Sequence, residues 1–302
     1  MNKKILITGA QGFTGQHAFQ IFKQMGYQVY PVIRGDFANS TEDSLYCNLT
    51  SLAEVEKVIQ TTKPDFIIHL AGKNHAGESW KHPDLYMDSN IKGTINLLEA
   101  VRKYKPDTKI AVVGSMLETS LTEEKPNHPY GLSKSIQSTV ALAWYYLYQL
   151  SILVVRPPNL IGPGNSTGVC SQFGRKIIEA EKNNKQNVIL TLNKLGLKRA
   201  FLDVRDAVSI YAGLLESGES GKIYDLHTED RYSLQEIVDQ YKHLSPCSIE
   251  TDYVYQEEQP NTRLIEADQH LLGERIEKIK CPQKFKLEQS LRDILDFYRK
   301  TS

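Results

Sequence analysis

Tyr130 and Lys134 stand four residues apart in Pro129-Tyr130-Gly131-Leu132-Ser133-Lys134, a spacing that sets both side chains on one face of a helix. An ammonium so placed favours tyrosinate and lowers the phenol's pKa towards working pH, which fits the tyrosine for proton transfer. Fifteen residues before Tyr130, Ser115 closes the apolar run Ile110-Ala111-Val112-Val113-Gly114 and can hydrogen-bond a reacting carbonyl oxygen. Tyrosine and lysine share this spacing in many helices that do no chemistry, so the trio is read together with a second cluster.

That cluster is Lys4-Ile5-Leu6-Ile7-Thr8-Gly9-Ala10-Gln11-Gly12-Phe13-Thr14-Gly15, where an apolar run breaks into glycines at three-residue spacing before a helical pattern takes over at 16–25. Gly9 permits a turn that a Cβ would obstruct, Gly12 lets the backbone approach a pyrophosphate, and Gly15 lets helix and strand pack closely, while free N–H groups face the anion. Strand, tight turn and helix in that order predict a dinucleotide site formed by Gly9, Gln11, Gly12, Phe13, Thr14 and Gly15.

These groups need a scaffold, and the intervening residues carry the pattern of one. Residues 27–33 read as a second strand, with Pro31 pointing to an edge or an irregular end. Arg34 follows at once and can pair with a 2′-phosphate, whereas Asp36 can accept ribose hydroxyls; the order favours NADP over NAD. A third short strand ends at Cys47-Asn48-Leu49, and residues 51–62 are helical in pattern, with Ser51 and Glu54 spaced as a capping box. Phe66-Ile67-Ile68-His69-Leu70-Ala71-Gly72 is the near-continuous apolar run of a central parallel strand, and its Leu70-Ala71-Gly72 end is expected against the cofactor. Residues 84–104 repeat apolar side chains at helical spacing and lead into the strand that ends at Ser115. The alternation predicts an α/β fold: a Rossmann-type, doubly wound parallel sheet with ligands beyond the carboxyl ends of its strands.

Composition narrows the partners. Lys plus Arg and Asp plus Glu number 36 each, so no field of one sign recruits nucleic acid or membrane, and an anionic ligand must be met by local charges. Cys47, Cys170, Cys247 and Cys281 lack metal-ligand spacing and read as structural thiols of a reducing compartment. His69, His75 and His82 lack it too, so no metal is expected; His75 and Glu78 are placed along the cleft. The first apolar run is too short for a signal peptide and none reaches the ~18 residues of a membrane span, so a cytoplasmic protein is expected. The Pro/Gly-rich stretch 157–164 marks a change of architecture, followed by helical patterns at 172–183, 207–217, 233–244 and 287–299. The expected division is a dinucleotide-binding domain over 1–164 with about 204–226, and a smaller C-terminal substrate-binding lobe over 165–203 and 227–302.

Several of these segments resemble the extended short-chain dehydrogenase/reductase family of NAD-dependent epimerase/dehydratase type. They are the Thr8–Gly15 loop, Asn90-Ile91-Lys92-Gly93-Thr94, Ser115, Tyr130-Gly131-Leu132-Ser133-Lys134, Arg156-Pro157-Pro158-Asn159-Leu160-Ile161-Gly162-Pro163-Gly164, Arg199-Ala200-Phe201-Leu202-Asp203-Val204-Arg205-Asp206 and the C-terminal Leu287–Leu295. Within that family the wording is most similar to GDP-4-keto-6-deoxy-mannose reductases and related nucleotide-sugar enzymes. The resemblance implies a nucleotide diphosphate sugar held by Asn159, Arg199 and Arg263, with Glu78 at the cleft, and catalysis by Ser115, Tyr130 and Lys134. It places Asn48 and Leu49 near the adenine, where the family carries an acidic residue. It also implies a homodimer through a four-helix bundle, which the aromatic run Trp144-Tyr145-Tyr146-Leu147-Tyr148 would partly cover, otherwise read as core. Three departures stand out: the segment from Ser115 to Tyr130 is short, Met116 replaces a second hydroxyl residue, and Asn48 replaces the acidic residue; compared with the dehydratases, Glu118 also falls one position later than their glutamate. The reading is NAD(P)H-dependent reduction of a 4-keto-6-deoxy sugar carried on GDP, with UDP, dTDP or CDP as other carriers. A nucleotide-sugar 4-epimerase with bound NAD, a 4,6-dehydratase and a non-catalytic dinucleotide sensor are the alternatives.

Overall fold

The computed structural model describes residues 2–35, 44–119, 125–193, 197–254 and 275–301. The chain forms β1 (Lys4–Thr8), α1 (Phe13–Gln24), β2 (Gln28–Ile33), β3 (Leu45–Tyr46), α2 (Leu52–Thr62), β4 (Phe66–His69), α3 (Ala76–Ser79), α4 (Pro83–Met87), a π-helical turn (Asp88–Lys92), α5 (Gly93–Tyr104), β5 (Lys109–Val113), α6 (Pro129–Tyr148) and β6 (Ile152–Arg156). It continues with β7 (Asn159–Ile161), α7 (Val169–Lys182), β8 (Asn187–Asn193), β9 (Arg199–Asp203), α8 (Val204–Ser217), β10 (Ile223–His227), β11 (Arg231–Tyr232), α9 (Leu234–Leu244), β12 (Ser248–Val254), β13 (Ile276–Lys280) and α10 (Leu287–Thr301). The described residues fall into two units. The first takes those within Met1–Pro157, Val208–Leu226 and Arg263–Ile279, the second those within Pro158–Ala207, His227–Thr262 and Lys280–Ser302.

The first unit is built on an eight-stranded sheet in the order β13-β10-β6-β5-β4-β1-β2-β3. Every pairing from β3 across to β10 is parallel. β6 is buried at every residue, because helices cover both faces and leave no solvated side for a polar alternation. Helices α2, α5 and α6 close one face over Leu6, Ile67, Val112 and Val154. The chain runs outward from β1 to β2 and β3, then returns to the other side of β1 as β4, so the glycine loop after β1 opens at the point where strand order reverses.

Three local expectations change. Residues 84–104 do not form one helix: a π-helical turn interrupts them, and its widened backbone lets the buried Asn90 face inward. Ser51 caps α2 without a side-chain bond, and the Glu54 carboxylate accepts from Asn48 N at 2.7 Å rather than from Ser51 N; a full capping box forms elsewhere, between Ser233 and Glu236 at α9. Residues 276–280, within the stretch expected in the lobe, form an edge strand of the large sheet. Pro31 is tolerated although β2 is not outermost, because β3 pairs only with Val32 and Ile33.

The second unit holds a three-stranded sheet, β11-β9-β7, and a two-stranded parallel pair, β12-β8. Helices α7, α9 and α10 pack there over Phe173, Ile177, Tyr241, Ile294 and Leu295. The Tyr241 hydroxyl donates to Cys170 O at 2.8 Å, which satisfies the one polar atom of a fully buried ring. Among the described residues no helix is long and apolar enough to cross a membrane.

Two glycine substitutions should separate packing from propensity. A Cβ at Gly15 would lie 2.1 Å from Gly9 O and 2.7 Å from Ala10 Cα, so Gly15→Ala is expected to cost more than about 1 kcal/mol in urea denaturation. In α8 a Cβ at Gly213 meets nothing within 4 Å, so Gly213→Ala should stabilise by about 0.5–1 kcal/mol.

Candidate active site

The carboxyl end of β5 and the first turns of α6 bring Ser115, Tyr130 and Lys134 together. His128 starts α6: its ring accepts from Gly131 N at 2.7 Å and stacks against the Tyr130 ring at a centroid distance of 5.7 Å. Tyr86 closes on that ring edge-to-face at 6.3 Å. Held between these rings, the Tyr130 phenol has the Ser115 side chain near enough to favour its charged form, and the Ser115 oxygen accepts from Leu117 N at 3.1 Å. Lys134, one turn along α6, donates to Val113 O at 2.6 Å and to the Gln137 side-chain oxygen.

The electrostatics differ from the expected pairing. Burial pushes the Tyr130 phenol up to about 12; the Ser115 side chain opposes this, while Glu118 and Tyr86 add to it. Lys134 is not among these influences. Burial lowers Lys134 to about 8, with Glu118 opposing. At neutral pH the site therefore holds a protonated phenol beside an ammonium.

Glu118 is turned into the fold. One carboxylate oxygen accepts from Ser115 N at 3.0 Å and from Ser138 Oγ at 2.8 Å, and the other lies 3.6 Å from Arg156 Nη1. A Cβ at Gly114 would come within 2.2 Å of that first oxygen, so the strand end must be glycine for the carboxylate to seat. Arg156 makes two further bonds to Asp225 on the neighbouring strand, at 2.5 and 2.8 Å. Burial raises the Glu118 carboxyl, against the pull of Arg156 and its hydrogen bonds.

The glycine turn is built as its spacing requires. Gly9 has φ +71°, and Gly12 N donates back to Gly9 O at 3.0 Å. Gly12 caps α1 with no side-chain bond, which leaves the first N–H groups of that helix, at Phe13, Thr14 and Gly15, without a side-chain acceptor. The Gln11 side-chain oxygen accepts from Arg34 N at 3.0 Å and so fixes the exposed Arg34 beside the loop. Asp36 lies outside the described residues. Asn48 is exposed, with its amide oxygen taken by Thr50, and Leu49 O accepts from Asn96. Leu70 N and Ala71 N donate to Thr8, bringing the 70–72 loop against the glycine turn, where a Cβ on Gly9 would touch Ala71 at 2.8 Å. Glu78 stays exposed, held by Lys73 at 3.4 Å, which with Tyr86 and His75 keeps its carboxyl below the usual range.

In the second unit, Asn159 donates to Ala200 O at 3.0 Å, one residue from Arg199. Burial holds the Arg199 guanidinium below its usual value, and it has no carboxylate partner among the described residues. Arg263 lies outside them. Sequence reasoning missed His128, Gln137 and the Arg156–Glu118 pair. Arg156, Asn90 and Glu118 sit in segments that had drawn notice, but the partners they bind are too distant in the chain for spacing to reveal them.

Removing the central cation tests this account of the buried charges. Arg156→Met should destabilise by roughly 3–5 kcal/mol, since it strands two buried carboxylates, and the loss should shrink when pH falls far enough to protonate them. Urea denaturation at two pH values measures both.

The family model described as "NAD dependent epimerase/dehydratase family" matches residues 5–226. The GDP-6-deoxy-D-mannose reductase of Pseudomonas aeruginosa is 26% identical over 264 residues, covering 83% of each chain. Among solved structures, the UDP-glucose 4-epimerase of Thermus thermophilus in complex with NAD superposes with a TM-score of 0.80 at 19% identity, over 99% of this chain and 100% of that one. RMD from Pseudomonas aeruginosa complexed with NADPH does so with a TM-score of 0.73 at 23% identity, over 99% of both. A match across the glycine turn, the parallel sheet and the Ser115, Tyr130 and Lys134 cluster leaves one assignment: the chain belongs to the NAD-dependent epimerase/dehydratase family.

Proposed function

We propose that the protein is an NAD(P)H-dependent reductase of a 4-keto-6-deoxy nucleotide sugar, GDP-linked by preference, with NADPH favoured over NADH. The observation that carries this is the inward lock on Glu118. A 4,6-dehydratase needs carboxyl groups that take a proton from C5 and give one to the leaving hydroxyl. The carboxylate beside Ser115 is instead bound to Ser115 N, Ser138 and Arg156, and the next two residues after Ser115 are Met116 and Leu117. A ketoreductase needs only a hydride donor and one proton, and the reductase relative matched along most of the chain accords with that.

The residues present fit a dinucleotide. A Cβ at Gly12 would meet only Gly9 O, at 3.3 Å, so the outer face of the turn is open to a phosphate that the uncapped start of α1 favours. Arg34 beside Gln11 offers a guanidinium to a 2′-phosphate. A bound reduced nicotinamide supplies hydride. The chain's own part is to give the Tyr130 proton to the carbonyl oxygen as the ketone becomes an alcohol, with Ser115 hydrogen-bonding that oxygen. Lys134 keeps a positive charge near the phenol as its proton leaves. The second unit would hold the sugar nucleotide, with Arg199 on the diphosphate and Asn159 beside it. Exposed Tyr146, Leu147 and Tyr148 on α6 support a homodimer through paired α5 and α6 helices.

The enzyme should oxidise NADPH stoichiometrically with at least one dehydrated form of GDP-mannose, UDP-N-acetylglucosamine, dTDP-glucose or CDP-glucose, and Tyr130→Phe should lose ~10²–10⁴-fold in rate. A keto sugar formed from an intact one without net cofactor change would make it a dehydratase, and interconversion of two intact sugars an epimerase. Arg34→Ala should weaken NADPH roughly ten- to a hundredfold and leave NADH nearly unchanged. For pH the sign is fixed by both groups being active when protonated. The Tyr130 proton is retained through neutrality, whereas the Lys134 ammonium is complete below about 8 and lost above it. The wild-type kcat/KM should therefore fall as pH rises through that range, and Lys134→Met should abolish this limb along with most of the rate.

A further inference from the structure

A buried chain of hydrogen bonds runs from the strand before the glycine turn to Lys134, and its donors and acceptors can be assigned without ambiguity. Thr94 Oγ1 donates its single proton to Asn90 O at 2.7 Å, so it must accept from its other two partners, Gln137 Nε2 at 2.8 Å and His69 Nε2 at 2.9 Å. His69 is fully buried and held neutral, its pKa lowered to about 3 by burial and by Lys134, so it has one N–H, which lies on Nε2. Its Nδ1 then accepts from Thr8 Oγ1 at 2.7 Å, and Thr8 Oγ1 in turn accepts from Ala71 N at 3.2 Å. At the far end an ammonium can only donate, so the Gln137 oxygen must face Lys134 and its NH2 must face Thr94. Each polar atom in the chain has at least one partner, and the Gln137 amide has one permitted orientation.

We propose that Gln137 is the positioning residue of Lys134, its amide locked by Thr94 and His69 so that its oxygen holds the ammonium at the catalytic end of α6. This rests on Lys134 belonging to the reductase site. Val113 O and Gln137 take two of the three ammonium protons and leave one N–H for the phenol or a ligand hydroxyl. The other titratable groups that act on or are acted on by Lys134 are Glu118 beyond β5 and His69 at the end of β4, while Tyr130 stands one turn before it on α6. Of these only Glu118 carries charge that favours the ammonium, and Arg156 partly neutralises it. The uncharged oxygen of Gln137 is thus the one side-chain atom among the described residues that accepts directly from the Lys134 ammonium.

Two variants with opposite effects test this. In Gln137→Met the acceptor is lost at nearly constant volume; in Gln137→Glu it becomes a carboxylate, towards which the Thr94 hydroxyl can turn its proton. Carbon-13 NMR of ε-labelled lysines, with the Lys134 signal assigned by its absence in Lys134→Met, follows the ammonium directly. The midpoint should move down by about one pH unit in Gln137→Met and up by about as much in Gln137→Glu. The descending limb of kcat/KM should move in the same directions. A general loosening of the fold would not send the two variants opposite ways. Should Gln137→Met not fold, the upward move in Gln137→Glu decides alone. Midpoints that stay put, or move the same way in both variants, overturn the proposal. Midpoints that move as expected while the wild type reduces no keto sugar uphold it and sink the reductase reading instead.

Discussion

The guanidinium of Arg156 is the constraint on which the catalytic end of the sheet depends. It sits at the last residue of β6, faces Asp225 across a strand pairing, and reaches Glu118 from the loop after β5. Three charges out of water can be tolerated only if their geometry is tight and their remaining lone pairs are filled. That requirement selects a bare strand end at Gly114 and a small hydroxyl at Ser138. It also fixes Ser115 N, and with it the turn that aims the Ser115 hydroxyl at Tyr130. The serine is thus placed by an ion pair that does not itself touch the reacting atoms.

The sequence made legible whatever depends on neighbours in the chain. Glycine spacing identified the turn after β1, near-continuous apolar runs identified β4 and β5, and the four-residue step identified the shared face of Tyr130 and Lys134. What stayed hidden depends on partners far apart. Ser51 with Glu54 and Ser233 with Glu236 have the same spacing, yet only the second closes a capping box, and the first glutamate accepts from Asn48 N instead. The π-helical turn at 88–92 exists for Asn90, whose amide bonds both N and O of Lys73 and the Ser133 hydroxyl. No periodicity shows that. Lys134 was expected to act on Tyr130, but it also donates to Gln137, three residues on along α6, and to Val113 O, which becomes a neighbour only when α6 packs on β5.

Proteins of this family share a scaffold and differ in chemistry by small placements of polar groups. A carboxylate that faces the ligand acts as acid or base; the same carboxylate bound to an arginine beneath the strand ends is structural. Met116 and the inward Glu118 accordingly say more about reaction type than the glycine turn does, since any reaction that uses a dinucleotide needs that turn.

The edge strand β13 gives the first unit an unusual timetable. Its sheet needs residues 276–280, so a chain emerging from the ribosome carries the other strands long before the one that covers β10. Until then β10 presents an unpaired row of backbone donors and acceptors, the template on which β-rich chains add to one another. Synthesis that stalls or is truncated shortly before this strand leaves the other strands of the large sheet with a sticky edge, so a short stretch made late in translation guards against aggregation during biogenesis.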